Sequence, residues 1–283
     1  MNKTQKMIPI EKLHPFENHP YKVQDNEEME LLAESIRQNG LLAPVLVRPL
    51  ENTTDEYEII SGHRRIMASQ KAGITEVPAF VVSLDRNAAA IALVDSNLHR
   101  EHILPSEKAF AYKMKLDAMK RQGLRTDLTS TQVGRKLETA EIIGEETGES
   151  KNQVRRYIRL TNLIHEILQY VDEGRISFTP AVELSHLTGE EQQALLEQME
   201  IQDCTPSLSQ ACRLKKLSRE GCLSDRLIEV IMSEEKANQK ERLKIPLERI
   251  RKFFPKSYTV PQMEDEIVKM CEVRFRNRNR DAR

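Results

Sequence analysis

At 283 residues the chain has room for two or three domains, and its 31% charged, 39% hydrophobic and 5% aromatic residues, with no tryptophan, describe a rather helical protein with modest cores. A formal net charge of −1 excludes a protein that coats nucleic acid by bulk charge but leaves room for a specific binder whose positive charge is local. No run approaches the roughly 18 apolar residues of a membrane span. The N-terminal MNKTQKMIPI carries no apolar signal core, and Cys204, Cys212, Cys222 and Cys271 fit no zinc spacing. A cytoplasmic protein with reduced thiols and no membrane partner is therefore expected.

In chain order, MIPIEKL (7–13) suggests a short strand. Residues 27–39 place Met29, Leu32, Ala33 and Ile36 on one helical face, with Gly40 as the stop. PVLVRPL (44–50), YEIIS (57–61) and VPAFVVS (77–83) read as strands, and HRRIMASQKA between the last two reads as a helix closed by Gly73. This first part is α+β. From about residue 87 strand signals stop. Helices follow to about residue 241, interrupted by a polar, loop-like stretch at 122–137. From about 244 the sequence reads as two short helices separated by PKSYTVP. The fold class is thus an α+β N-terminal domain, an all-α middle domain and a small, mostly helical C-terminal region, with boundaries at 1–100, 101–220 and 221–283.

Two basic stretches carry the chemistry. In YEIISGHRRIMASQKA (57–72) a strand runs into Gly62, and His63, Arg64 and Arg65 open a helix. A helix start has unpaired N–H groups and partial positive charge, so two guanidiniums added there suit an anion; solvated surface arginines are the plain alternative. In TAEIIGEETGESKNQVRRYIRLTNL (139–163) Ala140, Ile142 and Ile143 give one apolar helix side and Gly148 the tight turn. Ser150 starts a second helix, and Gln153 stands where it would complete a capping box. Val154, Tyr157 and Ile158 face inward at helical spacing, so Lys151, Asn152, Arg155, Arg156 and Arg159 are expected to point outward. That is the layout of a recognition helix, with Ser150, Lys151, Asn152, Gln153, Arg155, Arg156 and Arg159 as the candidate DNA-binding residues. An amphipathic helix with a solvated basic face is the alternative.

IPIEKL, LAESIRQNGLLAPVLVRP, YEIISGHRRIMASQKAGITEVPAF and NLHREHILPSEKAFAY, taken in order and followed by the helix-turn-helix, resemble the ParB family of chromosome- and plasmid-partition proteins. The resemblance implies a ParB-like N-terminal domain binding CTP with Mg²⁺, a DNA-binding domain for a palindromic centromere-like site, and a homodimer that closes as a CTP-dependent clamp. Gly62-His63-Arg64-Arg65 stands where the family has Gly-Glu-Arg-Arg, so these residues are expected to grip the triphosphate. Ser96-Asn97-Leu98-His99-Arg100 stands where it has Glu-Asn-Leu-Gln-Arg, which gives Ser96, Asn97 and Arg100 nucleotide roles and Asn97 a metal role. Ser96 replaces a carboxylate by a weaker, neutral ligand, which leaves at most a weak CTPase. A ParA-type ATPase is the implied protein partner, but only Lys3 and Lys6 precede IPI as basic contacts, and an unstructured terminus is expected there. The alternative is a transcriptional or replication regulator of a mobile element that binds DNA without a working CTP switch.

Overall fold

The computed structural model describes residues 3–51, 53–98, 100, 102–126, 139–234, 250–255 and 257–281. It comprises two compact units that divide after Glu234.

The first unit opens on a five-stranded mixed sheet. Its strands are β1 (Lys3–Pro9), β2 (Leu13–His14), β3 (Val45–Pro49), β4 (Tyr57–Ser61) and β5 (Glu76–Val82), in the order β1-β5-β3-β4-β2. β1 lies antiparallel to β5 with Lys6 opposite Ala79, and β5 is parallel to β3 with Ala79 opposite Val45. The terminus read as unstructured is therefore an edge strand. Lys3 to Lys6 have no apolar alternation; their order comes from pairing with β5, which lies some seventy residues away in sequence.

β4 is buried from Tyr57 to Ile60 because both of its faces are covered. On one face Ile59 packs with Val45, Val47, Ile66 and Val77; on the other Ile60 packs with Leu93, Val94 and Ala111. Helix α1 (Glu27–Asn39) is capped by Asn26 and stopped by Gly40 at φ 73°, and it packs Met29, Ala33 and Ile36 against Ala68 of α2 (His63–Lys71). Burying each such side chain contributes roughly 1.5–3 kcal/mol. Helix α3 (Arg86–Asp95) covers the opposite face.

Helix α4 (Pro105–Thr126) leads into the helical part, and its end runs through Gln122–Thr126, where a loop was expected; residues 127–137 of that expected loop lie outside the described residues. Lys115 of α4 is only 1% exposed, and it joins α3 and α5 (Thr139–Thr147) through ion pairs with Asp95 and Glu146. α6 (Lys151–Arg159) follows the turn, and Tyr112, Ala140, Ile143 and Val154 form the core between α4, α5 and α6. α7 (His165–Asp172), α8 (Phe178–Leu184), α9 (Gly189–Ile201), α10 (Leu208–Arg219) and α11 (Asp225–Ser233) share one larger core, which includes Ile167, Leu184, Leu195, Leu214, Ile228 and Ile231. Asp172 accepts from both the backbone N–H and the hydroxyl of Ser106, which ties α7 to the start of α4.

Among the described residues of the second unit, Val260–Asp281 forms a 22-residue helix, where a short one was expected. Ile245 and Leu247 of the expected preceding helix lie outside the described residues. Among the described residues no helix is long and apolar enough to cross a membrane.

Candidate nucleotide cleft and nucleic-acid interface

The turn from β4 to α2 is built around Gly62, at φ 111°. A Cβ there would stand 2.7 Å from Cγ1 of buried Val45 and 3.1 Å from Nη2 of Arg65, so both the packing and the positive φ require glycine at this turn. No acidic residue occupies the first turn of α2, and its N-terminal N–H groups keep their positive end. Beside the turn lies a cleft of about 270 Å³. Gly62, His63, Arg64 and Arg65 line one side, Asn97 and Arg100 another, and His19, Tyr21 and Lys22 close it. A second cleft of about 670 Å³ shares Lys22, Arg64 and Arg100 and extends past Asn26, Glu28 and His102.

The two adjacent arginines differ in how they are held. Arg65 donates through Nη1 to the carbonyls of Ala43 (2.7 Å) and Pro44 (2.8 Å), and burial pushes its pKa down. Arg64 is half-exposed and lies 3.0 Å from Oε2 of Glu28. His63 lies against His19 with ring centroids 3.9 Å apart and the ring planes tilted by 48°. Burial, then the neighbouring His19 and Arg100, push His63 down to about 3, so the ring is neutral. His19 is also lowered, first by burial, and its Nδ1–H donates to the carbonyl of Tyr21 at 2.7 Å. Nε2 of both rings and the hydroxyl of Tyr21 are buried without a partner. Such orphaned polar groups are costly in a closed core, and beside a cleft they are what a polar ligand would satisfy.

Ser96 does not line the cleft. It caps α3, and its hydroxyl donates to the carbonyl of Leu93 at 2.8 Å. The side-chain amide of Asn97 donates to the same carbonyl at 2.8 Å and to Oγ of Ser96 at 3.1 Å. His99 lies outside the described residues. Among the described residues there is no cluster of three His, Cys, Asp or Glu side chains that would hold a metal ion. Both carboxylate oxygens of Glu107, an acid bordering the larger cleft, accept from the backbone N–H groups of Lys22 and Leu104. The cleft therefore fits an anionic, polar ligand through the start of α2 and the cations Lys22, Arg64 and Arg100, whereas among the described residues no carboxylate cluster is present to hold a resident Mg²⁺.

Sequence reasoning missed His19, Tyr21 and Lys22. FENHPYK lies between a two-residue strand and α1 with no regular period, and only its buried aromatic and imidazole content hints at a site.

In the helical domain Gly148 takes φ 71° between α5 and α6, and Ser150 caps α6 by accepting from the N–H of Gln153 at 3.1 Å. A second glycine is needed as well: a Cβ on Gly144 would lie 2.5 Å from the carbonyl oxygen of Glu149. The capping box is only half made, because Oε1 of Gln153 instead accepts from Arg156 at 3.2 Å. The outward reading also needs correction. Asn152 and Arg155 are exposed, and Lys151 is half-buried. Arg156, however, turns onto α8, donating to Oγ1 of Thr179 at 3.0 Å and lying over the Phe178 ring. Arg159 turns to His186. Helical spacing gives the direction of a Cα–Cβ bond, but a long side chain follows the partner it finds.

An α+β domain with an anion-suited cleft, followed by a helix-turn-helix, defines a two-part class of protein. Residues 1–98 match the ParB N-terminal domain and residues 105–205 match the ParB HTH domain. The chain belongs to the ParB family. It is 37% identical over 175 residues to a probable chromosome 1-partitioning protein ParB of Deinococcus radiodurans, a match covering 62% of this chain and 53% of that one. It is 33% identical over 195 residues to a nucleoid occlusion protein of Listeria innocua, covering 68% and 62% respectively. The match thus spans little more than half the length of these curated relatives. Among solved structures, C-terminally truncated ParB of Caulobacter crescentus matches in two complexes. With the centromeric parS site the identity is 27%, covering 76% of this chain and 99% of that one, at a TM-score of 0.41. With CTP-gamma-S the identity is 29%, covering 70% and 99%, at a TM-score of 0.33.

Proposed function

We propose that this chain is a DNA-binding partition protein that binds a centromere-like duplex through α6 and holds CTP in the cleft at Gly62. The observation that carries the nucleotide part is the Gly62 turn, where a helix start with no acidic residue borders a cleft that Arg64, Arg100 and Lys22 also line. In this reading the phosphates lie against the start of α2, with Arg64 released from Glu28 to meet them. Arg65 acts at one remove, by fixing the β3 approach through the Ala43 and Pro44 carbonyls. His63, His19 and Tyr21 supply neutral polar contacts, and Asn97 borders the same space. Mg²⁺ enters with the nucleotide's phosphates rather than in a prebuilt cage. In the helical domain Lys151, Asn152 and Arg155 meet the duplex, and Arg156 is positioned by Gln153 and Thr179.

The remaining family properties belong to the same proposal: a homodimer, nucleoid or plasmid association, and a ParA-type partner. The C-terminal helix supports self-association, since it exposes Val268, Met270, Val273 and Phe275. One observation favours the second reading, a DNA-binding regulator without a CTP switch: Ser96 is tied to Leu93 and brings no carboxylate to the cleft. Calorimetry with CTP, ATP, GTP and UTP in Mg²⁺ separates the two. CTP-selective binding that Arg64→Ala abolishes supports the partition reading; a folded protein that binds no nucleotide supports the regulator.

A further inference from the structure

Beyond the cleft and the start of α6, three cations gather at one imidazole. Arg159 ends α6 and Arg219 ends α10, and each directs Nη2 at Nδ1 of His186, at 2.5 and 3.3 Å. A ring nitrogen that accepts from guanidiniums carries no proton, so His186 is the neutral Nε2–H tautomer. Burial, then Arg159, Lys215 and Arg219, push its pKa down to about 4. Glu183 is the acid that faces the group, and Lys215 holds it at 2.6 Å. Among the described residues neither arginine has a carboxylate partner, and Nε of Arg159 is buried with no acceptor.

Two guanidiniums drawn together repel one another, and a carboxylate between them would remove that repulsion. The fold uses an imidazole instead. It orients both forks and cancels neither charge, so the site keeps its attraction for an oxyanion from outside. Its position is informative too. Arg155 and Arg159 are four residues apart on α6 and share a face. Arg156 reaches Thr179 at the start of α8, and Arg159 reaches His186 just past its end. The arginines thus run alongside α8, from the middle of the recognition helix to the end of α10.

We propose that Arg159, His186 and Arg219 form a clamp for a backbone phosphate of the bound duplex, outside the base-reading part of α6. The inference rests on the DNA-binding reading above. It is tested by fluorescence anisotropy of the full chain with a labelled mixed-sequence duplex over a salt series. A phosphate contact contributes about 0.9 to the slope of log K against log salt. Arg219→Gln should lower that slope by about 1 and weaken binding to all sequences alike. His186→Glu supplies the missing carboxylate, satisfies both arginines, and should give the same loss with no fall in thermal stability, which covers the case in which Arg219→Gln unfolds. Wild-type slopes in both variants, with the wild-type protein binding duplex, would overturn the clamp. No duplex binding by the wild-type protein would instead remove the DNA-binding reading itself. A free oxyanion is the other source of the same chemistry. If inorganic phosphate shifts the His186 imidazole NMR signals while duplex slopes stay unchanged in the variants, the site serves free phosphate and the clamp as stated is wrong.

Discussion

The Gly62 cleft and the far end of α6 both gather arginines, and the groups that hold those arginines differ in kind. In the cleft, Arg64 faces the Glu28 carboxylate and Lys22 faces Asp172, while Arg65 is bound to two backbone carbonyls, so two of the cations have an acid beside them. For Arg156 and Arg159 of α6 the hydrogen-bond partners are neutral: Gln153 and Thr179 for the first, His186 for the second. Matched charge acts at short range and rewards a ligand of the right shape, one able to displace Glu28 and to satisfy His63, His19 and Tyr21. Unmatched charge reaches out to about a Debye length and is weakened by salt. The contrast follows from the two tasks: a cleft must choose among small anions, and a helix must find a polyanion and stay on it.

The sharpest way to break the comparison is at the glycine that makes the cleft. Gly62→Ala forces a Cβ against Val45 and requires a non-glycine residue at φ 111°. The N-terminal domain should lose about 2–4 kcal/mol from strain and overpacking, and nucleotide binding should disappear from the calorimetric trace. Gly144→Ala is the matching change in the helical domain. There a Cβ meets the backbone oxygen of Glu149, and overpacking should cost about 1–3 kcal/mol. Duplex binding should fall while nucleotide binding survives. If each substitution removed both activities equally, the two sites would not be separable as described.

The next effect is a pH dependence that belongs mainly to the cleft. His63 is held at about 3 in the fold against 6.5 for an ordinary histidine, chiefly by burial. Below pH 6.5 the unfolded chain therefore binds a proton that the folded chain refuses. Stability present above pH 6.5 is lost progressively as pH falls toward 3. His63→Gln keeps a neutral polar side chain and should flatten this decline, as read by denaturant midpoints at pH 7 and pH 5. His186, held at about 4, contributes a decline of the same sign from the helical domain, so His186→Gln should flatten what remains.

Much of this was legible in the sequence because local rules and tertiary structure agree there. Helix α1 begins and ends where Asn26 and Gly40 place it, and β4 spans the predicted YEIIS. The Gly62 turn and the Gly148 turn were both visible as glycines between periodic segments. What was hidden depends on partners distant in sequence. β1 exists because β5 offers an edge, and the pairing of Arg48 with Glu58, both buried inside the sheet, has no signature in either strand alone. Asn97 borders the cleft, whereas Ser96 turns back to the end of its own helix and donates to the carbonyl of Leu93. The need for glycine at Gly144 has no local signature either, since the oxygen it must clear belongs to the turn beyond its helix.

The smallest expected effect tests whether Glu28 guards the cleft. It pairs with Arg64 at 3.0 Å, and its side chain is 71% exposed, so the pair itself is weak. An exposed ion pair contributes about 0.2–1 kcal/mol. Any ligand that recruits Arg64 must first give up that contact and then sit near an uncompensated carboxylate. Glu28→Gln removes both penalties, retains the shape and leaves Arg64 free to turn. Nucleotide affinity should rise by roughly 2–5-fold, within the range that one exposed pair allows, and the gain should shrink at high salt. Duplex binding through α6 should be unchanged, because Glu28 and α6 belong to different domains. Unaltered nucleotide affinity in Glu28→Gln would mean that Arg64 meets the ligand without leaving its partner, and the cleft's charge would then be as available as that along α6.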